Sequence, residues 1–290
     1  MTEARPQTTT WRNRLFVSLQ YFLPQHALTR GVGWFMSRES DWLKNTQIKA
    51  LCRLFDINTE EAAKPVPEGY ANLNEFFTRE LKPGARDLSA TPDDALMSPC
   101  DGAISECGRI ENGSLIQAKG FRYSVAELLQ DDGLAPYFDG GLFMTIYLAP
   151  YDYHRVHFPV AGTIERERHI PGKLFSVNGA TAAAVPRLFA RNERREFIIG
   201  NETSKTALVM VGALNVGSIS TPWETSPLVA GSKDDVTTLP AVDNDFQRGD
   251  LLGWFNMGST VILLLPKSET SWRDDLKAGD KVRLGQPLTA

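Results

Sequence analysis

From about residue 95 onward, short apolar runs alternate with glycine-containing turns, and this texture limits the chain to a β-rich core. The runs cover 143–149, 197–200, 207–212, 216–220, 251–255 and 260–265. A small unit recurs in this region: Asp101-Gly102-Ala103-Ile104, Ala161-Gly162-Thr163-Ile164 and Val216-Gly217-Ser218-Ile219. Glycine followed by a β-branched or apolar run predicts tight turns in a barrel or sandwich-like core. The spacing is irregular, so the unit is not a solenoid repeat. Two short helices are expected within this region. Ser124 with Glu127 forms a capping box, and 180–191 is Ala-rich but interrupted by Pro186. Residues 230–249 carry polar and acidic groups and little periodicity, so they read as a long loop.

The first 53 residues have a different character. They hold eight Lys/Arg against three Asp/Glu, a net of +5, while the whole chain is −4, leaving −9 for the remainder. The same stretch carries Trp11, Leu15, Phe16, Leu19, Phe22, Leu23, Trp34, Phe35 and Trp42. Leu15, Leu19 and Phe22 recur at helical spacing, and Pro24 ends that helix. A second helix is expected over 41–55, a linker at Pro65 and Pro67, and a short helix over 72–81. Basic amphipathic helices rich in Trp suit a lipid interface; they equally suit a cap on the protein's own core. The expected division is a helical segment over 1–65 and a catalytic domain over 66–290, an α+β chain with a β-rich core.

At 290 residues the chain has room for one large domain or two small ones. Its 42% apolar and 23% charged residues are ordinary globular usage. The acidic balance argues against a nucleic-acid partner. Cys52, Cys100 and Cys107 form no CxxC pair, which gives neither a disulfide framework nor a zinc site and fits a reducing compartment. No apolar run approaches the ~18–20 residues that a bilayer span needs.

Three spots carry chemistry-bearing residues. His154 and His157 lie in Asp152-Tyr153-His154-Arg155-Val156-His157, after an apolar strand and between Pro150 and Pro159. HxxH without a third ligand is a poor metal site, so no metal is expected. Asp101 sits in a turn framed by Pro99 and Gly102. Gly258-Ser259-Thr260 precedes a strongly apolar strand and is not a GxSxG elbow. Asp101, His157 and Ser259 together offer an acid, a base and a nucleophile, the elements of a triad.

These residues, in this order, resemble the phosphatidylserine decarboxylase family of pyruvoyl-dependent proenzymes. The resemblance runs over Leu19-Gln20-Tyr21-Phe22-Leu23-Pro24, Asn74-Glu75-Phe76-Phe77, residues 99–104, Gln117-Ala118-Lys119-Gly120, residues 151–157 with the His154/His157 motif, residues 171–178 with Phe175-Ser176-Val177-Asn178, Leu188-Phe189-Ala190-Arg191-Asn192-Glu193-Arg194 and Gly258-Ser259-Thr260. One departure is Met257, where the bacterial family usually has Leu; the two are similar in volume and both apolar.

The resemblance implies that the chain cuts itself between Gly258 and Ser259, giving a β chain of 1–258 and an α chain of 259–290. These stay associated as a heterodimer, with higher oligomers open. Ser259 becomes a covalent pyruvoyl cofactor. His157 is the implied base for cleavage, with Asp101 fixing its tautomer. In turnover the amine of phosphatidylserine forms a Schiff base with the pyruvoyl group and loses CO₂, giving phosphatidylethanolamine. His154 is implied in handling the substrate carboxylate or protonating the product carbon, and Phe175, Ser176 and Asn178 in binding substrate. His26 and His169 read as structural. The implied location is peripheral, on the cytoplasmic face of the inner membrane, against anionic lipid. Other readings are a serine hydrolase using the same triad for turnover, a decarboxylase of a related serine-headed lipid or free amino acid, and a non-enzymatic membrane protein.

Overall fold

The computed structural model describes residues 11–201, 204–214, 218–224, 228–229, 235–239, 242–256 and 260–290. Three helices open it: α1 (Trp11–Phe22), α2 (Gln25–Met36) and α3 (Asp41–Phe55). Pro24 separates the first two, as expected of a residue that cannot continue a helix. Asp56, in the left-handed region, closes α3. The short α4 (Leu73–Phe77) follows, capped by Asn72, whose side chain accepts the Glu75 N–H. Met36, Ile48, Ile57, Tyr70, Leu73 and Phe76 form a small core of their own beneath these helices.

The remaining elements run β1 (Gly102–Arg109), β2 (Ser114–Ala118), β3 (Phe121–Ser124), α5 (Val125–Leu129), β4 (Leu142–Tyr147), β5 (Arg155–His157), β6 (Gly162–Ile170), α6 (Gly179–Ala182) and α7 (Leu188–Arg191). They continue with β7 (Arg194–Gly200), β8 (Lys205–Val211), β9 (Ser218–Ser220), β10 (Leu228–Val229), β11 (Thr237–Thr238), β12 (Val242–Phe246), β13 (Leu251–Phe255), β14 (Thr260–Leu265) and β15 (Lys281–Val282). Among the described residues the large sheet has the order β11-β6-β7-β8-β14-β4-β1-β15, with β12 also on β6. A smaller sheet runs β10-β9-β13-β5, and β2 pairs with β3. Thus the chain is α+β, with helices at the N-terminus and an antiparallel β core.

Every residue of β14 is buried, and the strand is hydrogen-bonded on both sides, to β8 and β4. Its unbroken apolar sequence suits a strand covered on both faces. Leu263 and Leu264 have no exposed surface, and burying each such side chain is worth roughly 1.5–3 kcal/mol.

One reading of the sequence needs correction, and one strand goes unread in it. Residues 230–249 are not simply a loop: β11 and β12 lie within them and pair along β6. β6 itself, and the start of β7, carry too many charges to read as strands. Those charges pair across the two strands: Arg166 and Arg168 on Glu196, and Arg195 on Glu167. Buried charge is tolerated here because each group has a partner.

Candidate active site

The register of the large sheet sets the site. Ala103 on β1, Tyr147 on β4 and Thr260 on β14 lie in one row. The Asp101 turn therefore sits two residues beyond this row, and the start of β14 lies in it. Gly102 permits the approach: a Cβ there would fall 2.6 Å from the Tyr147 carbonyl oxygen. Met257, Gly258 and Ser259 lie outside the described residues. Their flanks are fixed by Asn256 on one side and Thr260 on the other. The Asn256 amide donates to the Ser220 hydroxyl at 3.0 Å, and its oxygen accepts from Asn74 at 3.2 Å.

The histidine motif is brought to the same end by β13. Phe255 N–H donates to the His154 carbonyl at 3.1 Å, and His157 N–H donates to the Pro99 carbonyl at 2.8 Å. One strand of backbone thus ties both histidines to the segment before Gly258 and to the Asp101 turn.

His154 has no exposed surface, and its ring stacks on Phe77 with centroids 4.0 Å apart. Neither ring nitrogen has a hydrogen-bond partner. Burial, reinforced by the Arg79 charge, pushes its pKa down to about 3, although backbone groups of Ala149 and Pro150 oppose the shift. The imidazole is neutral at any physiological pH. Arg79 is itself buried, and its Nε and Nη1 lack hydrogen-bond partners; its other nitrogen donates to the Tyr151 carbonyl at 3.4 Å.

His157 is held at both nitrogens. Nδ1 lies 2.8 Å from the Gly249 carbonyl oxygen, and Nε2 lies 3.1 Å from the Tyr153 hydroxyl. A carbonyl only accepts, so Nδ1 carries the proton and Nε2 is the basic nitrogen. Burial lowers the His157 pKa, partly offset by the Gly249 bond. Gly249 has φ +91, a conformation suited to glycine.

Asp101 differs from expectation. Its carboxylate receives Arg86 through both Nε, at 3.0 Å, and Nη2, and the Leu284 N–H at 2.9 Å. It does not orient His157, because the Gly249 carbonyl occupies Nδ1; its influence on the ring is through-space charge. Burial opposes the Arg86 charge, but bonds to Asp101 and Glu61 overcome this and raise its pKa. Asp152 lies nearby with its pKa pushed up to about 6, chiefly by burial, while the Ala149 N–H bonds to its carboxylate at 2.7 Å and pulls the other way.

A pocket of about 250 Å³ opens beside these groups. Its outer wall is apolar: Met36 from α2, Leu51 and Phe55 from α3, and Leu73 and Phe77 from α4. Its inner wall includes Tyr147, next to Thr260 in the sheet row, and Ser176 and Asn178. Asn178 also caps α6 by accepting the Thr181 N–H at 2.9 Å. Phe175 does not line the pocket. It is a core residue, 2% exposed, packed edge-on against Tyr21 at 5.0 Å. In an extended backbone neighbouring side chains alternate sides, so Phe175 turns away from the face that Ser176 presents. His169 bonds to Glu193 at 3.0 Å and lies far along β6. A wider groove of about 1270 Å³ lies at the other end of β14, around Leu265 and Lys267, and holds none of these residues.

Sequence reasoning missed Tyr153, Gly249 and Arg79. Tyr153 was visible within the histidine motif; Gly249 acts through its backbone, and Arg79 through a fold-made contact.

A buried neutral histidine, a second histidine whose Nδ1 is fixed by a backbone carbonyl, an Arg-clamped carboxylate and a mostly apolar pocket lie together at one end of an antiparallel sheet, an arrangement suited to an enzyme with a partly apolar substrate. A family profile described as phosphatidylserine decarboxylase matches residues 73–290, and one described as PSD matches 15–56. The chain is 44% identical over 280 residues to a phosphatidylserine decarboxylase proenzyme of Saccharophagus degradans, covering 96% of this chain and 97% of that one. It is 45% identical over 283 residues to that of Azotobacter vinelandii, covering 96% and 98%. It is 44% identical over 281 residues to that of Methylococcus capsulatus, covering 95% and 96%. The chain belongs to the phosphatidylserine decarboxylase family and is a decarboxylase.

Proposed function

We propose that this protein is a self-processing decarboxylase that converts phosphatidylserine to phosphatidylethanolamine, with Ser259 as the source of a pyruvoyl group. The observation that carries the reading is the pocket. Its apolar wall comes from the helices and its polar inner wall adjoins Thr260, so an amphiphile entering tail-outward places its head at the start of β14.

For cleavage, His157 is the base. Its Nε2 takes the Ser259 hydroxyl proton, the oxygen adds to the Gly258 carbonyl, and the amide bond gives way to an ester. General-base help of this kind is worth roughly 10²–10⁴ in rate. Asp101 contributes negative charge that favours the protonated ring. Breakdown of the ester with loss of the Ser259 α-proton, followed by hydrolysis, leaves the pyruvoyl ketone and ammonia. The burial of β14 between β4 and β8 keeps the released segment in place.

The residues at this end of the sheet suit such a group: the ring nitrogens of His154 and the hydroxyl of Thr260 are buried and lack partners. The pyruvoyl group supplies an electron sink for the loss of CO₂. His154, neutral and stacked on Phe77, moves a proton at a ring nitrogen, and the Phe77 side keeps water away. Ser176 and Tyr147 offer the pocket's polar contacts to the headgroup.

The protein works at the cytoplasmic face of the inner membrane. No helix among the described residues is long and apolar enough to cross a bilayer. The helices nevertheless expose Trp11, Phe22, Trp34, Trp42 and Leu54, from 63% to 86% of their surface. An exposed apolar face of this kind marks an interaction surface, and the +5 charge of the first 53 residues suits anionic lipid.

The test supplies purified protein with vesicles of phosphatidylserine, vesicles of phosphatidylglycerol, or free serine. CO₂ release from the first alone is expected. Equal release from free serine would contradict a lipid substrate.

A further inference from the structure

Ser176, Val177 and Asn178 line the pocket's inner wall, yet the segment 174–178 belongs to no strand or helix before α6. Its backbone is held by side-chain amides instead. Leu174 N–H donates to the Gln25 oxygen at 2.7 Å, and Ser176 N–H donates to the Gln20 oxygen at 2.7 Å. Between them, Phe175 N–H donates to the Asn192 oxygen at 3.1 Å, and Asn192 returns a bond to the Phe175 carbonyl at 2.8 Å. Alternate N–H groups of an extended chain point to opposite sides. The α1–α2 elbow therefore takes 174 and 176, and Asn192 takes 175 from the other side.

Both glutamines are buried, Gln20 at 1% exposure and Gln25 at 6%. They are also tied together, since Gln25 donates to the Gln20 carbonyl at 2.8 Å. Gln20 is out of place by composition: its neighbours Leu19, Tyr21 and Phe22 are exposed while it is not. The helix thus turns apolar groups outward and one amide inward, onto the pocket wall. Tyr21 adds an edge contact to Phe175, and Arg191 lies over both rings.

We infer that Gln20 and Gln25 are positioning residues that hold the Ser176 side of the pocket in register with the α1–α2 elbow, so that headgroup binding depends on how that elbow is seated. This rests on the reading of the pocket as the substrate site. The same two helices carry the exposed apolar face, so seating at a lipid surface and the shape of the pocket wall are mechanically joined. Self-cleavage is intramolecular and makes no use of this wall, so it is independent of the two amides.

The experiment compares the full-length parent with Gln20→Met/Gln25→Met. Four readouts are taken: self-cleavage on a gel, vesicle binding, kcat and KM for phosphatidylserine in detergent micelles, and amide hydrogen exchange. Each lost acceptor strands a buried N–H, an effect of about tenfold in an equilibrium constant. Complete cleavage, unchanged vesicle binding, KM raised about tenfold and kcat within about threefold of the parent are expected. Exchange at Leu174 and Ser176 should quicken about tenfold while the β14 amides hold. An unchanged KM, or unchanged exchange at those two amides, overturns the proposal. Should the double variant not fold, Gln20→Glu and Gln20→Met are compared singly. Glu keeps an acceptor for Ser176 N–H and Met does not, so KM must be lower for Gln20→Glu; equal values overturn the proposal. Failure of the parent itself to turn over phosphatidylserine refutes the pocket reading instead, and the exchange result still decides whether the amides hold the wall.

Discussion

His157 Nδ1 lies 2.8 Å from the carbonyl oxygen of Gly249, so a backbone group, not a carboxylate, fixes the tautomer of this ring. The basic nitrogen is Nε2, which faces the Tyr153 hydroxyl at 3.1 Å. His157→Ala should therefore accumulate the uncut chain. Tyr153→Phe leaves the tautomer in place and should still cut, within about tenfold of the parent rate. A cleavage time course read on gels checks both, and unimpaired cutting by His157→Ala would remove the base from the account.

Asp101 acts as a charge clamped by Arg86 and the Leu284 N–H. Asp101→Asn and Arg86→Met should both slow cleavage by about tenfold or more, the first by removing charge and the second by releasing the turn. Leaving one member of a buried pair without its partner is the costly change. Normal cleavage kinetics in Arg86→Met would show that the clamp has no part in placing the carboxylate.

His154 gives the fold an acid weakness. Its pKa is about 3 in the folded chain and about 6.5 when exposed, so below pH 6.5 the unfolded chain binds a proton that the folded chain refuses. Stability is intact above pH 6.5 and falls as pH drops below it, by about 2 kcal/mol at pH 5. His154→Phe keeps a ring against Phe77 and removes the proton linkage. Its melting temperature should fall less between pH 7 and pH 5 than the parent's. The same variant should still cut at Gly258–Ser259 yet release little CO₂.

Asp152 has the opposite sign. Its folded pKa is about 6 against 3.8 when exposed, so the folded chain binds the proton more tightly. This is a destabilising burden above pH 6 of the order of 2–3 kcal/mol, and it disappears as pH falls below about 4. Asn at this position keeps an acceptor for the Ala149 N–H. Asp152→Asn should melt several degrees higher than the parent at pH 8 and at the same temperature at pH 4. An equal gain at both pH values would rule out ionisation as its cause.

The legible parts of the sequence were those where one local pattern carries the structure. The apolar run at 260–265 reads directly as a buried strand, and His154 and His157 announce themselves within six residues. β6 was illegible because its Arg and Glu residues look like surface and become interior only when paired with β7. The role of Gly249 was illegible because any residue has a carbonyl; only the fold brings this one to His157. Gln20 left a faint sign, one amide among Leu19, Tyr21 and Phe22, with nothing local to say which backbone it meets. Phe175 misled because a motif groups residues by sequence, whereas an extended chain sends alternate side chains to opposite sides.

The central claim is that the chain cuts itself between Gly258 and Ser259 and makes its reactive carbonyl from Ser259. The intact mass of the purified full-length protein, beside Ser259→Ala, tests it most directly. The parent should give two chains, 1–258 and a 32-residue 259–290 whose N-terminal residue has the mass of a pyruvoyl group, and Ser259→Ala should give one uncut chain. A single uncut mass for the parent, or the same cut in Ser259→Ala, would contradict the account.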